Sequence, residues 1–275
     1  MSPTLTRPEA AGPARLRRPS LFSLVIVLVA GCLLIHGWTQ GAKVDPGSLA
    51  IGTLRLGEFF SDAIPPDASR LGPILKALLV TIEMALLGTI LGVLLSLPLA
   101  ALAARNISPH WTLYGAARGV ITVCRSIPDL VWGLIFVVAV GLGPEAGVLA
   151  ITVDVMGFCG RFFAESIEDL EPGRLEGLRA LGASRVGVLA GGVLPACLPS
   201  FVTTSMFALE SSVRSSVVLG LVGAGGIGIE LATSMTLLRY DEAFTIILSI
   251  LLVVVAFERL SAAIRRRVLG QEDYP

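Results

Sequence analysis

Charge is scarce in this 275-residue sequence. Asp, Glu, Lys and Arg together supply 15% of it, against 54% hydrophobic residues. The length alone would allow one or two soluble domains, but a mean hydropathy of +0.81 and long runs without a charged group exclude them and point to a polytopic membrane protein. Acidic and basic residues balance at 21 each, so there is no cationic excess to hold a nucleic acid. Histidine is almost absent: His36 and His110 are too far apart to suggest a shared site. Cys32, Cys124, Cys159 and Cys197 stand singly in or beside apolar stretches, with no metal-ligand or redox spacing, and read as small apolar fillers. These shortages leave an integral-membrane enzyme without an acid/base or metal cluster to work with. A G-x4-G-K-[ST] phosphate loop is missing too, so the chain is not expected to hydrolyse ATP itself.

What is present is a succession of apolar runs. Residues 1–20, rich in Pro, Ala and Arg, are expected to be a disordered N-terminus. Arg15, Arg17 and Arg18 precede a first span at 21–38, which no small-x-small cleavage pattern follows. A polar external loop with three prolines is expected at 39–71, carrying a short surface helix over Leu54 to Phe60. The core at 72–264 should hold five more spans: 72–104 (long enough to tilt, with Pro98 inside), 119–142 (with Pro128 inside), 144–166, 195–222 and 243–264. Residues 265–275 form the tail. With the N-terminus inside, 1–20, 105–118, 167–194 and the tail carry roughly three times as many Lys and Arg as the external loops, the bias that marks the cytoplasmic side. Both termini are therefore expected in the cytoplasm.

The longest charged interruption in the second half is 167–194. Leu175, Leu178 and Leu181 recur at near-helical spacing among Arg174, Glu176 and Arg179, which predicts a short helix. Gly182 stands where a left-handed C-terminal cap belongs, Ser184 is placed to cap a second short helix, and Pro195 fits the first turn of the next span. A hairpin of this kind is more than a connection between spans requires.

Ionisable residues inside the expected spans include Glu83, Arg125, Asp129, Asp154, Arg161, Glu210 and Arg214. Such groups cost about 2.5–3.5 kcal/mol each on insertion scales and usually face a cavity or a partner. Arg125 with Asp129, and Glu210 with Arg214, have the i,i+4 spacing of opposite-charge pairs on one helix face. Two readings stand side by side: ion pairs that hold helices together, or groups lining a translocation path in which an arginine meets an anion. Ser211, Ser212, Ser215 and Ser216 around Arg214 could supply hydrogen bonds to a passing oxyanion or simply let helices approach. Gly223-Ala-Gly225-Gly226-Ile-Gly228 fits G-x-G-x-x-G, but no strand–helix unit surrounds it. It is read as a tight non-helical turn at membrane depth, at the external end of the 195–222 span.

Glu176, Gly182 six residues on, and Leu194-Pro195 resemble the "EAA" loop of importer-type ABC permeases: Glu-Ala-Ala, three residues, Gly, nine residues, Ile, one residue, Leu-Pro. Gly177 and Leu178 replace the two alanines, and Gly192 the isoleucine. Arg125-Ser-Ile-Pro-Asp-Leu-Val-Trp, and Glu210-x3-Arg214 followed through to Gly228, resemble the permease subunits of phosphonate, phosphite and hypophosphite importers over about residues 70–265. The resemblance implies an all-α integral membrane protein of the type I importer fold with six transmembrane helices. It implies a coupling loop in which Glu176, Leu178, Gly182, Ala183, Leu194 and Pro195 engage a separate ATPase subunit. A path lined by Arg125, Asp129, Glu210, Arg214, Ser215, Ser216, Gly225 and Gly226 would lie at the interface of a homodimer. ATP and Mg would sit on an ATPase dimer, no cofactor on this chain, and an external binding protein would deliver the anion. A permease of the same fold for an amino acid or phosphate is the alternative. A stand-alone channel has no evident need for the 167–194 loop.

Overall fold

The computed structural model describes residues 20–41 and 45–269; the expected disordered segment 1–20 lies outside them except for Ser20, as do residues 270–275 of the tail. The chain divides into two compact units, Met1–Phe60 and Ser61–Pro275. In the first, α1 (Leu21–His36) starts at Ser20, whose hydroxyl accepts the Ser23 N–H at 3.2 Å as an N-cap. It buries none of its residues and passes through a π-helical turn at Gly37–Gly41. Helix α2 (Pro46–Ala63), which runs on into the second unit, is capped by Asp45, whose carboxylate accepts the N–H groups of Gly47 and Ser48 at 3.2 and 2.9 Å. The segment read as a polar loop with a short helix over Leu54–Phe60 is thus mostly helix. Its alternating Leu, Ile, Gly and polar residues hid an 18-residue element.

The second unit is built on α3 (Leu71–Ala103), which continues unbroken past Pro98. Its 33 residues measure about 50 Å at 1.5 Å per residue, more than one straight span needs. Helix α6 (Pro144–Glu168) packs along it in parallel. Small residues make the contact: a Cβ on Gly88 would meet Ile151 Cγ2 at 2.6 Å, and one on Gly92 would meet Val155 Cβ at 2.6 Å. Helix α9 (Leu194–Leu221) packs antiparallel on both, joined at one level by the hydrogen bond from Thr89 Oγ1 to Ser212 Oγ at 2.9 Å. Phe163 and Phe201, with ring centroids 4.2 Å apart, anchor the end of this core nearer the 167–194 loop. Helix α11 (Tyr240–Leu269) lies against α9 and α10 (Ile227–Thr236).

The third expected span, 119–142, is corrected. It is two helices, α4 (Trp111–Ser126) and α5 (Asp129–Val140), bent by 93°. Pro128 holds Ile127 extended (φ −96°, ψ 122°), because the residue before a proline avoids the α region. Trp132 ties the bend by donating its Nε1–H to the Cys124 carbonyl at 3.3 Å. Helix α4 also starts inside the stretch read as the 105–118 loop. Among the described residues five helices are long and apolar enough to cross a membrane, and six spans result when α4 and α5 count as one. Arg265–Arg267, expected in the tail, belong to α11.

Candidate translocation path and docking loop

The 167–194 stretch folds as its spacing predicts. Helix α7 (Pro172–Ala180) ends at Gly182, whose φ is +81°. The Ala183 N–H reaches back to the Leu178 carbonyl at 3.1 Å, the 6→1 bond of a Schellman cap. Helix α8 (Arg185–Val188) starts at Ser184, whose hydroxyl accepts the Gly187 N–H at 3.1 Å. A π-helical turn, Leu189–Val193, leads into α9, with Leu194 and Pro195 in its first turn. Leu178 turns inward, while Glu176, Gly182 and Leu181 (85% exposed) face outward. The departures from the importer pattern explain one another. A Cβ on Gly192 would come within 2.5 Å of Leu178 Cδ1, so the leucine in place of alanine occupies the room that glycine in place of isoleucine leaves.

Polar groups gather about halfway along the core. On α9, Arg214 pairs with Glu210 at 3.2 Å, and Arg265 of α11 approaches the other Glu210 oxygen at 3.8 Å. Glu210 is nearly buried, whereas half of the Arg214 side chain is open. The serines divide by face. Ser212 and Ser216 are buried and donate to the Ala208 and Val213 carbonyls, while Ser211 and Ser215 are half-buried. Ser211 lines a cavity of about 30 Å³ with Asp154, Val155, Phe158 and Ala208, which links the α6 and α9 polar groups. Arg125 and Asp129 do not form the one-helix pair expected of them: the Pro128 bend puts them on different helices, and Asp129 Oδ1 accepts the Leu130 N–H at 2.8 Å. Both remain within electrostatic reach of Asp154.

Gly225 and Gly226 sit in a packed turn that closes the other end of the core. Gly226 has φ +74°, and the following Ile227 N–H donates to Thr81 Oγ1 of α3 at 2.7 Å. Gly225 backs onto Pro144, and the Gly143 N–H reaches the Gly223 carbonyl at 3.1 Å. The turn therefore fastens α9 and α10 to the third turn of α3 and to the start of α6.

Residues 96–270 match the family described as binding-protein-dependent transport system inner membrane component. The chain belongs to this family. Among curated relatives of this permease, a phosphite transport system permease protein of Stutzerimonas stutzeri is 38% identical over 241 residues, 88% of this chain and 87% of the relative. A phosphate-import permease protein of Mycolicibacterium smegmatis is 36% identical over 266 residues, 96% of this chain but 49% of that longer relative. Among solved structures, an inward-facing methionine ABC transporter chain superposes with a TM-score of 0.65 at 21% identity, covering 74% of this permease and 99% of that chain, which establishes the fold.

Beyond Glu210–Arg214, several further ion pairs of the permease were not foreseen from sequence. Arg70, before α3, contacts both Glu242 of α11 and Glu230 of α10, and Arg239 approaches Glu242 at 3.5 Å. Glu242 is 4% exposed in its side chain. Toward the 167–194 end, Arg118 pairs with Glu168 at 2.9 Å and Arg161 with Glu165 at 2.7 Å. Two of these have a spacing that the sequence displays, i,i+3 for Arg239–Glu242 and i,i+4 for Arg161–Glu165.

Proposed function

We propose that this chain is the membrane subunit of an ATP-driven importer that carries phosphite, phosphonate or a related phosphorus oxyanion across the cytoplasmic membrane by alternating access. Two copies meet around the path. An ATPase dimer, which binds ATP and Mg, docks on the 167–194 loops, and an external binding protein supplies the anion; the chain holds no cofactor and binds no nucleic acid. The N-terminus, the loop and the tail face the cytoplasm. Glu176 presents its charge to the ATPase, while Leu178, Gly182, Ala183, Leu194 and Pro195 keep the loop stiff enough to act as a lever on α9. Arg214, half open beside Glu210, and Arg125, Asp129 and Ser215 line the path. Ser216, Gly225 and Gly226 support it by packing.

The observation that carries the oxyanion reading is the 38% identity, across nearly the whole chain, to a phosphite permease. The open arginines agree with it. An arginine uncovered at membrane depth is expensive unless it faces water, a partner or an anion. Inorganic phosphate is a second reading, supported by the name of the mycobacterial relative. Reconstituted vesicles containing this permease, its ATPase and its binding protein separate them: phosphite or phosphonate uptake driven by ATP is expected, with phosphate a weaker competitor. ATP-driven uptake of methionine alone, with no phosphorus oxyanion carried, would overturn the substrate class and leave the fold standing.

A further inference from the structure

Helix α4 carries Arg118, Thr122 and Arg125 at i, i+4 and i+7, one above the other on a single face. That face does not stand alone. Together with Ser126 and with Arg161 of α6, it lines a cavity of about 300 Å³, a volume in the range of small-ligand sites. Three guanidiniums thus converge on one space, whereas Glu210 and Arg214 lie on α9 and line none of it.

The three are differently held, and the differences suit a polyoxygen anion. Arg161 gives its Nε to Glu165 and Arg118 gives Nη2 to Glu168, while Arg118 Nε also donates to the Ala103 carbonyl at 2.9 Å. These contacts fix the two guanidinium planes and leave other N–H groups on each for a ligand. Arg125 has no ion-pair partner among the described residues. Its stem lies against α6 where the absence of a side chain at Gly157 admits it: a Cβ there would meet Arg125 Cγ at 3.1 Å and Cys124 Cβ at 2.7 Å. Two of the three guanidiniums are therefore tied to carboxylates, while Arg125 is balanced only at longer range, by Asp154 of α6. Planar forks of N–H donors match the oxygens of a tetrahedral phosphorus oxyanion.

We propose that Arg118, Arg125 and Arg161 form a second oxyanion site of this permease, separate from the Glu210–Arg214 pair. Its ligand is a tetrahedral phosphorus oxyanion, either the transported anion on its way to the 167–194 side or the phosphate of an anionic phospholipid headgroup. The first source rests on the function proposed above; the second does not.

The site can be tested on the unaltered full-length chain in nanodiscs, with no ATP and no transport. Phenylglyoxal modifies accessible guanidiniums, and mass spectrometry reads the extent at each arginine. In phosphatidylcholine discs, inorganic phosphite is expected to protect Arg125 and Arg161 together, which assigns the site to the transported anion. Protection on exchange into phosphatidylglycerol discs without phosphite assigns it to the headgroup and sustains the site even if phosphite uptake fails. No protection at Arg125 or Arg161 in either disc overturns the proposal. As a second readout, Arg125→Gln should weaken the binding of whichever probe protects by about tenfold, the loss of a charge-assisted hydrogen bond. Affinity equal to the parent chain's, in a variant of unchanged thermal stability, would also overturn it.

Discussion

The two ends of the core are built on opposite plans. At the glycine-turn end, α3, α10 and α11 are cross-linked by Arg70, Glu230, Arg239 and Glu242, and the turn is wedged against Thr81 and Pro144. At the other end the loop leaves Glu176 and Leu181 in the open while Val188 and Val193 enter the core and Leu178, Ala183 and Leu189 pack against it, and the nearby ion pairs sit on partly exposed side chains. One end is a clamp; the other is a display. The contrast suits a machine pushed at its displayed end and hinged at its clamped one, and substitutions at the two ends should fail in different ways.

The largest effect is expected at the clamp. A Cβ on Gly228 would lie 2.2 Å from the Val217 carbonyl oxygen and 2.7 Å from Gly220 Cα, and backbone cannot move aside as a side-chain tip can. Gly228→Val should cost about 3 kcal/mol or more and lower the yield of folded, detergent-soluble protein, measured by size-exclusion chromatography and thermal unfolding. Glu242→Ala comes next. It leaves Arg70 and Arg239 without their shared carboxylate, and because both arginines are partly exposed the expected loss is about 1–2 kcal/mol, visible as a lowered Tm. At the display end, Gly192→Ile should leave the Tm close to the parent value while misplacing α7, and ATPase association should drop. Adding Leu178→Ala should restore association, since the isoleucine then fills the space the leucine vacated. Association unaffected by Gly192→Ile would show that the two residues are not complementary.

The display end was far more legible in the sequence than the clamp. Gly182, Ser184 and Pro195 act through caps and first turns, which involve residues three to six apart, so their spacing alone foretold the geometry. The apolar spans were equally plain. The clamp depends on Arg70 meeting Glu242, 172 positions away, and no periodicity records such a contact. Helix α10 escaped notice because glycines precede it and polar residues interrupt it. The α4–α5 bend escaped because apolar residues continue on both sides of Pro128, and a run of hydropathy does not reveal whether a proline tilts a helix or turns it by 93°. The same bend explains why Arg125 and Asp129, four apart, do not share a helix face.

The measurement that bears most directly on the whole account is ATP-driven phosphite uptake by vesicles containing Glu176→Lys permease, its ATPase and its binding protein, run beside the parent complex. Glu176 is exposed and outside the core, so the variant should insert and fold as the parent does. The account predicts that uptake falls to background, and that the ATPase either dissociates or hydrolyses ATP without transport. Parent-level uptake with the ATPase still bound would contradict a lever at the 167–194 loop.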